Sequence, residues 1–169
     1  MPREMRRVVT GHDAQGKSIV VIDGPPSRAQ AYWLTDAAPA DNANGDDTAQ
    51  AVRTLEPPTG GSIFRYATIP PDDPKVSAAD RERATAKMFE QMGAAHCRPD
   101  TSRHPGMHKT RTVDYVILLS GEVTLLLDKG EVDLKPFDVV VQRGTNHAWV
   151  NKGKEPALIA AVLVDAKQL

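Results

Sequence analysis

Residues 107–151 read MHKTRTVDYVILLSGEVTLLLDKGEVDLKPFDVVVQRGTNHAWVN, and this stretch decides the fold that the sequence predicts. Short runs of β-branched and aliphatic residues alternate with glycine-containing turns, a pattern typical of antiparallel strands. Two histidines, His108 and His147, stand near its two ends. The sequence before it supplies further short strands and one helix, so we place the centre of the domain here.

The strands predicted from this stretch onward are short and closely spaced. Residues 113–119 and 123–127 are joined by the turn 120–122, for which we expect a tight hairpin. Residues 138–142 form the next run, and residues 157–164 form the last one. Eight to ten short strands with short turns and one helix predict an all-β fold, either an antiparallel sandwich or a small barrel.

The N-terminal third carries weaker strand patterns. Residues 7–10 and 18–23 flank a turn-rich segment and predict a hairpin. Residues 62–69 alternate, which places Arg65 on the same face as the apolar residues two positions away. Residues 36–50 are polar and turn-rich, and they form either a plain surface loop or a lid.

One helix is predicted between residues 77 and 93. Ser77 is a candidate N-cap, Asp80 completes a capping box, and Gly93 is a plausible end. An apolar stripe at helical spacing consists of Ala84, Met88, Phe89 and Met92. We interpret this stripe as packing surface for the core.

Composition excludes some classes of partner. The chain has 21 basic and 22 acidic residues, a net charge of -1, which gives no electrostatic case for nucleic acid or an anionic membrane. We identify no signal peptide and no apolar run long enough to span a membrane. The single cysteine, Cys97, cannot form an internal disulfide, which fits a cytoplasmic protein; it is either a nucleophile or an ordinary structural thiol.

Polar residues share faces with apolar ones on two predicted strands. His108 and Asp114 lie an even number of positions apart and share a face if their strand is unbroken, and His147 and Trp149 share a face on a later strand. Imidazole and carboxylate groups on an inward face are costly unless they are paired or bind a metal ion. Two histidines and one carboxylate on facing strands can form a triad of the kind that holds non-haem Fe(II). A metal-free hydrogen-bonded histidine pair is the alternative.

The stretch resembles the cupin superfamily. His108-Lys109-Thr110 stands at the first cupin motif's His-x-His, Asp114 at its acidic position and Gly121 at its glycine. Gly144-Thr145-Asn146-His147 and Asn151 match the second motif. Thr110 replaces one motif histidine, which weakens the ligand set because a neutral hydroxyl is a poor ligand for soft metals.

The resemblance implies a cupin-type double-stranded β-helix, or jelly-roll barrel, with one short helix. Residues 1–60 would supply N-terminal strands and a loop at the barrel edge or a dimer arm, and residues 61–169 the barrel. Related cupins exchange such strands between subunits, so we expect a homodimer. The resemblance also implies a small-molecule substrate.

The resemblance also implies a metal-dependent enzyme, of oxidoreductase or oxygenase type, that acts on a small organic molecule such as an aromatic compound or a secondary metabolite. His108, Asp114 and His147 would be the catalytic residues and the ligands of a divalent ion: Fe, Mn, Ni or Zn. Two alternatives stay open: a metal-free small-molecule-binding protein, and a metal-free acid/base lyase, isomerase or decarboxylase. His104 is either a substitute ligand or part of an entry turn.

Six further side chains are candidate substrate contacts: Arg65, Thr110, Tyr115, Gln142, Trp149 and Asn151. Arg65 suits a substrate carboxylate through its bidentate fork, although a surface ion pair is the commoner role. Tyr115 and Trp149 either stack on an aromatic substrate or fill the barrel. Gln142 and Asn151 either orient a ligand or a histidine, or bond within turns.

Overall fold

Ten antiparallel strands and one α-helix make up the part of the chain, residues 5–43 and 45–167, that a computed structural model describes. The strands are β1 (Arg7–His12), β2 (Ser18–Gly24), β3 (Ala31–Thr35), β4 (Ser62–Ile69), β5 (Thr112–Ser120), β6 (Val123–Leu127), β7 (Glu131–Leu134), β8 (Val139–Arg143), β9 (His147–Val150) and β10 (Ala157–Asp165). The helix is α1 (Ala78–Gln91). Two short 3-10 helices, Thr48–Ala51 and Ala95–Cys97, connect these elements.

Two of the three sheets enclose the core. The larger has the order β3-β4-β10-β5-β8, the smaller has the order β7-β6-β9, and β1-β2 is a separate ribbon. Buried Leu118 and Ile159 of the large sheet belong to one apolar cluster with Val123 and Leu125 of the small sheet. The all-β, jelly-roll barrel architecture with one helix is therefore confirmed.

Strand β5 shows the alternation that the sequence predicts. Thr112, Asp114, Val116 and Leu118 are all buried on its inner face. Tyr115 is 53% exposed, because neighbouring residues of a strand point to opposite sides of the sheet. The inner face is thus polar at its first two positions and apolar at the next two.

The turn at residues 120–122 differs from the prediction. Strand β5 pairs with β10 and β8, whereas β6 pairs with β7 and β9, so the predicted hairpin is wrong. The turn carries the chain from one sheet to the other. Gly121 has φ +79°, and a Cβ there would lie 2.7 Å from the Cα of Ala157, so the crossing requires glycine. The hairpin β1-β2 forms as predicted, and β6-β7 is a second hairpin.

Helix α1 begins and ends where its local sequence predicts. The Oγ of Ser77 accepts a hydrogen bond from the Asp80 backbone N–H at 3.1 Å and donates to the Asp80 carboxylate at 2.6 Å. Gly93, just past the helix, has φ +60°. Phe89 is buried against the segment that follows, and Met88 and Met92 also line the opening of the barrel. The apolar stripe therefore packs the helix over the barrel opening.

The N-terminal residues divide between the barrel and the ribbon. Strand β3 pairs with β4 across the predicted boundary at residue 60, so it is an edge strand of the large sheet. Arg7 of the ribbon bonds to Asp47 and donates to the Tyr32 carbonyl at 2.9 Å. Described residues of the 36–50 segment, among them Asp36 and Asp41, line a separate cavity beside the ribbon, and none of the segment's described residues lines the barrel opening. The division into residues 1–60 and 61–169 stays a prediction.

Candidate active site in the barrel

A cavity of about 210 Å³ occupies the polar end of the barrel. Strands β4, β5, β9 and β10 form its walls, and α1 lies over it through Phe89. Six residues singled out from the sequence line it: Arg65, His108, Thr110, Asp114, His147 and Trp149. The ring centroid of Trp149 lies 5.4 Å from that of His147. The barrel interior thus brings together residues that are far apart in the sequence.

Backbone pairing places the two histidines side by side. The His108 N–H donates to the His147 carbonyl at 2.8 Å, and the His147 N–H donates to the His108 carbonyl at 2.9 Å. The ring centroids are 4.2 Å apart, with a 45° angle between the ring planes. The predicted convergence of His108 and His147 inside the barrel is therefore observed.

Hydrogen bonds fix the tautomer of both rings. Nδ1 of His108 lies 2.8 Å from the Gly106 carbonyl oxygen, and Nδ1 of His147 lies 2.9 Å from the Thr145 carbonyl oxygen. A carbonyl oxygen only accepts, so each Nδ1 carries hydrogen and each Nε2 keeps a lone pair. Burial lowers the pKa of His147 to about 3, with a smaller contribution from His108. Burial also lowers the pKa of His108, so both rings are neutral near pH 7.

Asp114 is the buried acid of the cavity. Its Oδ1 has no hydrogen-bond partner in the described part of the chain. Burial raises the pKa of Asp114 to about 6, although the Thr112 hydroxyl acts in the opposite direction. The Oγ1 atoms of Thr110 and Thr112 lie 2.7 Å apart. The Thr110 hydroxyl, at the position of a motif histidine, is thus engaged with a neighbouring hydroxyl.

Arg65 is the cation of the cavity. Burial of its guanidinium lowers its pKa, but the group stays charged at neutral pH. Its Nη2 donates to the Ala29 carbonyl at a long 3.4 Å, and its buried Nη1 has no partner among the described residues. None of the ion pairs within 4.0 Å among the described residues contains Arg65 or Asp114. Arg65 therefore does not form the surface ion pair that was the alternative role for it.

The predicted ligand triad is not preassembled. A metal site requires one ligand atom from each residue close to the others. Among the described residues, His108, Asp114 and His147 do not place such atoms within 4.8 Å of one another. A different group, Glu56, His96 and Cys97, does. Two adjacent imidazoles with fixed Nδ1–H groups resemble metal-ligating histidines, whose second nitrogen is usually held in this way. A third ligand for a metal ion is missing beside the two histidines in the described part of the chain. Thr110 offers only a neutral hydroxyl, and the Asp114 carboxylate does not lie close enough to both rings.

Three other predicted contacts lie elsewhere. Tyr115 faces outward, so it neither stacks on a ligand in the cavity nor fills the barrel. The Asn151 amide donates to the Ile69 and Glu155 carbonyls at 2.9 Å each, so it bonds within the structure and does not line the cavity. His104 accepts from the Gly106 N–H at 3.0 Å and contacts Asp72, which agrees with the entry turn.

Gln142 combines both roles considered for it. Its Nε2 donates to the Thr145 carbonyl at 3.0 Å and also bonds to the Thr145 hydroxyl. The same carbonyl holds Nδ1 of His147. Gln142 therefore bonds within the turn and, through that turn, orients His147 from outside the cavity.

Sequence reasoning did not identify the surroundings of His96. The ring is on the surface, yet its Nε2 lies 2.9 Å from a Glu56 oxygen and 3.5 Å from the Cys97 sulfur. Glu56 and His96 are 40 positions apart in the sequence, and no local motif connects them. Cys97 itself is buried, and burial raises the pKa of its thiol to about 11, which argues against a nucleophile.

The fold and the inward-facing histidines define a small β-barrel of the cupin type. Residues 96–164 match the family model described as a cupin domain, and this match supports a small cupin-type protein. Within the described residues, no helix combines the length and apolar character that crossing a membrane requires.

The chain is similar to a biosynthesis cluster protein and to a cupin-domain-containing oxidoreductase. Phomopsin biosynthesis cluster protein C' of Diaporthe leptostromiformis is 29% identical over 166 residues, which cover 89% of this chain and 72% of the relative. The cupin-domain-containing oxidoreductase virC of Hypocrea virens is 27% identical over 184 residues, with 99% and 79% covered. Among solved structures, a Cupin 2 conserved barrel domain protein from Salinispora arenicola has a TM-score of 0.39 at 16% identity, with 62% of this chain and 64% of that chain covered.

Proposed function

We propose that this chain is a small-molecule enzyme of the cupin superfamily and that its substrate is an organic anion bound in the barrel cavity. The observation that carries the proposal is the buried Nη1 of Arg65, which has no partner among the described residues, on a side chain that lines the cavity. An unpartnered buried donor is costly, and a carboxylate that accepts from it removes that cost. Asp114 and the two imidazoles complete the polar lining around it.

The size and lining of the cavity limit the substrate. A volume of about 210 Å³ lies below the roughly 300–1,000 Å³ typical of small-molecule sites, so a small substrate is expected. Trp149 and Phe89 offer apolar wall surface, which suits a small aromatic or unsaturated body attached to the anionic group. Arg65 would hold the anion, and the rings would contact the remainder.

Proton transfer is the chemistry that the chain's own residues supply. Asp114, whose pKa is about 6, exchanges a proton near neutral pH and can act as the general acid or base, and the Nε2 lone pair of each neutral imidazole can accept a hydrogen bond from the substrate. Gln142 would orient His147 through the Thr145 carbonyl. A metal-free lyase, isomerase or decarboxylase is therefore the reaction class that this geometry favours.

An oxidoreductase is the second candidate, and the name of the virC relative supports it. Such a reaction requires an ion or an oxidant in addition to these residues. Metal dependence stays a prediction, since His108 and His147 offer two nitrogen ligands and the third position does not fit. Bound Fe, Mn, Ni and Zn are to be measured after incubation and desalting. A stoichiometric ion that is lost in His108→Gln/His147→Gln would support the oxidoreductase.

Binding of simple anions tests the proposal without a known substrate. We expect benzoate or malonate to raise the thermal midpoint of the chain, whereas the corresponding amides leave it unchanged, because only the anion pairs with Arg65. Arg65→Met should abolish the increase and Arg65→Lys should weaken it. Arg143→Met, at an exposed position of β8, is the matched control. Equal anion binding by wild type and Arg65→Met would refute the proposal.

A homodimer and a cytoplasmic location stay predictions. Exposed apolar side chains on the outer face of the large sheet support the homodimer: Tyr115, Val139 and Val141. A monomeric mass in light scattering would contradict the homodimer. Fractionation of producing cells tests the location.

A further inference from the structure

A second group of potential ligands lies outside the barrel cavity, beside α1. Cys97 ends the 3-10 helix Ala95–Cys97, is buried and packs in one apolar cluster with Phe89, which also lines the cavity. The His96 side chain is 65% exposed and that of Glu56 is 11% exposed. The group is therefore reachable from solvent through His96 and anchored in the interior through Cys97.

One nitrogen faces both partners. Nε2 of His96 lies 2.9 Å from Oε2 of Glu56 and 3.5 Å from Sγ of Cys97. A thiol–imidazole–carboxylate relay would instead use one ring nitrogen for each partner. All three ligand atoms lie within 4.8 Å of one another. The arrangement is thus that of three ligands around one point, and not that of a catalytic triad.

The distances suit a tetrahedral ion. Zinc bonds of about 2.0–2.1 Å to nitrogen, 2.0–2.2 Å to oxygen and 2.3 Å to sulfur give ligand separations of roughly 3.4 Å for N···O and 3.6 Å for N···S. The observed N···S separation of 3.5 Å already agrees. The N···O separation of 2.9 Å would open by about half an ångström, which the exposed His96 ring can accommodate.

A hydrogen bond to the second carboxylate oxygen of Glu56 orients this side chain as a ligand. Oε1 accepts from the Arg111 backbone N–H at 2.7 Å, and Oε2 faces the group. Burial raises the pKa of Glu56, but the Arg111 N–H and His96 outweigh that effect and hold the pKa below its usual value. The carboxylate is therefore ionised and oriented, as the ligands of a protein metal site usually are.

We propose that Glu56, His96 and Cys97 form a zinc-type cation site with three protein ligands and a fourth position for water. This site is separate from the barrel cavity and does not depend on the function proposed for it. Binding would convert the Cys97 thiol to a thiolate and release its proton to solvent. The ion would join the segment around Glu56 to the residues that follow α1, and so would hold the helix over the barrel.

Cobalt substitution tests the site directly. The reduced chain, freed of metal with a chelator, is titrated with Co(II) while the near-ultraviolet thiolate-to-cobalt charge-transfer absorption is recorded. Cys97 is the only cysteine of the chain, so this absorption reports on that residue alone. We expect saturation at one cobalt per chain, displacement by Zn(II), and release of one proton per ion in dilute buffer.

Variants distinguish a three-ligand site from a lone thiol. Cys97→Ser should lose the absorption, and His96→Gln and Glu56→Gln should weaken Co(II) affinity at least tenfold. His12→Gln, a change at another histidine, is the matched control and should behave as wild type. His108→Gln/His147→Gln should also keep the absorption, which separates this site from the barrel. No absorption in folded wild-type protein, or full affinity in both His96→Gln and Glu56→Gln, would overturn the proposal; circular dichroism verifies the fold of each variant.

Discussion

The two ends of the barrel interior differ sharply, although the same strands form both. On the inner face of β5, Val116 and Leu118 pack with apolar residues of both sheets. Two positions earlier, Asp114 faces a cavity that it shares with Arg65, and each has a buried polar atom with no partner among the described residues. Apolar burial stabilises the fold at one end, whereas burial of charge costs stability at the other.

This difference indicates where a ligand belongs. A barrel selected for stability alone would continue the apolar packing of Leu118 along β5. Polar groups kept at a cost in stability are expected at functional sites. The stability of variants at the apolar end and at the polar end, each compared with a control variant at an exposed position, tests this difference.

Leu118→Ala should have the largest effect. The side chain is 1% exposed in the apolar end, and removing it should lower the free energy of unfolding by about 2–5 kcal/mol because a cavity remains. Urea denaturation measures this change. Val139→Ala, at a position 64% exposed on the outer face of the same sheet, is the control and should change stability by no more than about 0.5 kcal/mol. Equal losses would mean that the two faces are not distinguished by burial.

Asp114→Asn should change how stability depends on pH. The pKa of Asp114 is about 6 in the folded chain against 3.8 ordinarily, so as pH rises from about 4 to 6 the unfolded chain loses this proton first. Wild type should then lose up to about 3 kcal/mol of stability at roughly 1.4 kcal/mol per pKa unit. Asn cannot ionise, so the variant lacks this loss.

Urea denaturation at pH 4 and pH 7 measures that difference. The stability of Asp114→Asn relative to wild type should increase from the lower to the higher pH, whereas the exposed Asp36→Asn serves as the matched control. A difference that is constant with pH, or that decreases, would show that the folded chain does not hold the Asp114 proton more tightly.

Arg65→Met should have the smallest effect and the opposite sign to Leu118→Ala. The substitution removes a buried donor without a partner among the described residues and keeps an apolar side chain of similar length. Stability without ligand should therefore rise by about 1–2 kcal/mol. Urea denaturation at pH 7, without added anions, measures it. A clear loss of stability would mean that Arg65 has a stabilising partner, and Arg143→Met controls for the loss of one positive charge.

Local patterns predicted much of the fold. The alternation in β5, the Ser77 cap and the cupin motif positions all depend on neighbours within a few residues, and the structure agrees with them. The placement of Arg65 on the inner face of β4 follows from the same period-two rule. The hairpin at 120–122 failed because turn residues indicate that a chain reverses and do not reveal which sheet the next strand joins.

The features that local patterns did not predict depend on distances between residues that are far apart in the sequence. The motif brought His108 and His147 together, but whether Asp114 reaches them depends on side-chain length and on the spacing between strands. The prediction for Tyr115 is wrong because Tyr115 directly follows Asp114, so the two side chains point to opposite faces of β5. Glu56 and Cys97 meet only once the segments around them pack against α1, and no local pattern encodes that contact.

The reciprocal backbone bonds between His108 and His147 have a mechanical consequence. Two backbone hydrogen bonds hold the segments together, and a backbone carbonyl holds Nδ1 of each ring, so the two rings keep a fixed spacing. On the opposite wall the backbone of Arg65 and Asp114 is held within β4 and β5, but each of these side chains has a polar atom without a partner among the described residues. Adaptation to differently shaped molecules then falls to these two side chains. In nuclear magnetic resonance spectra, a bound molecule should shift both imidazole signals together.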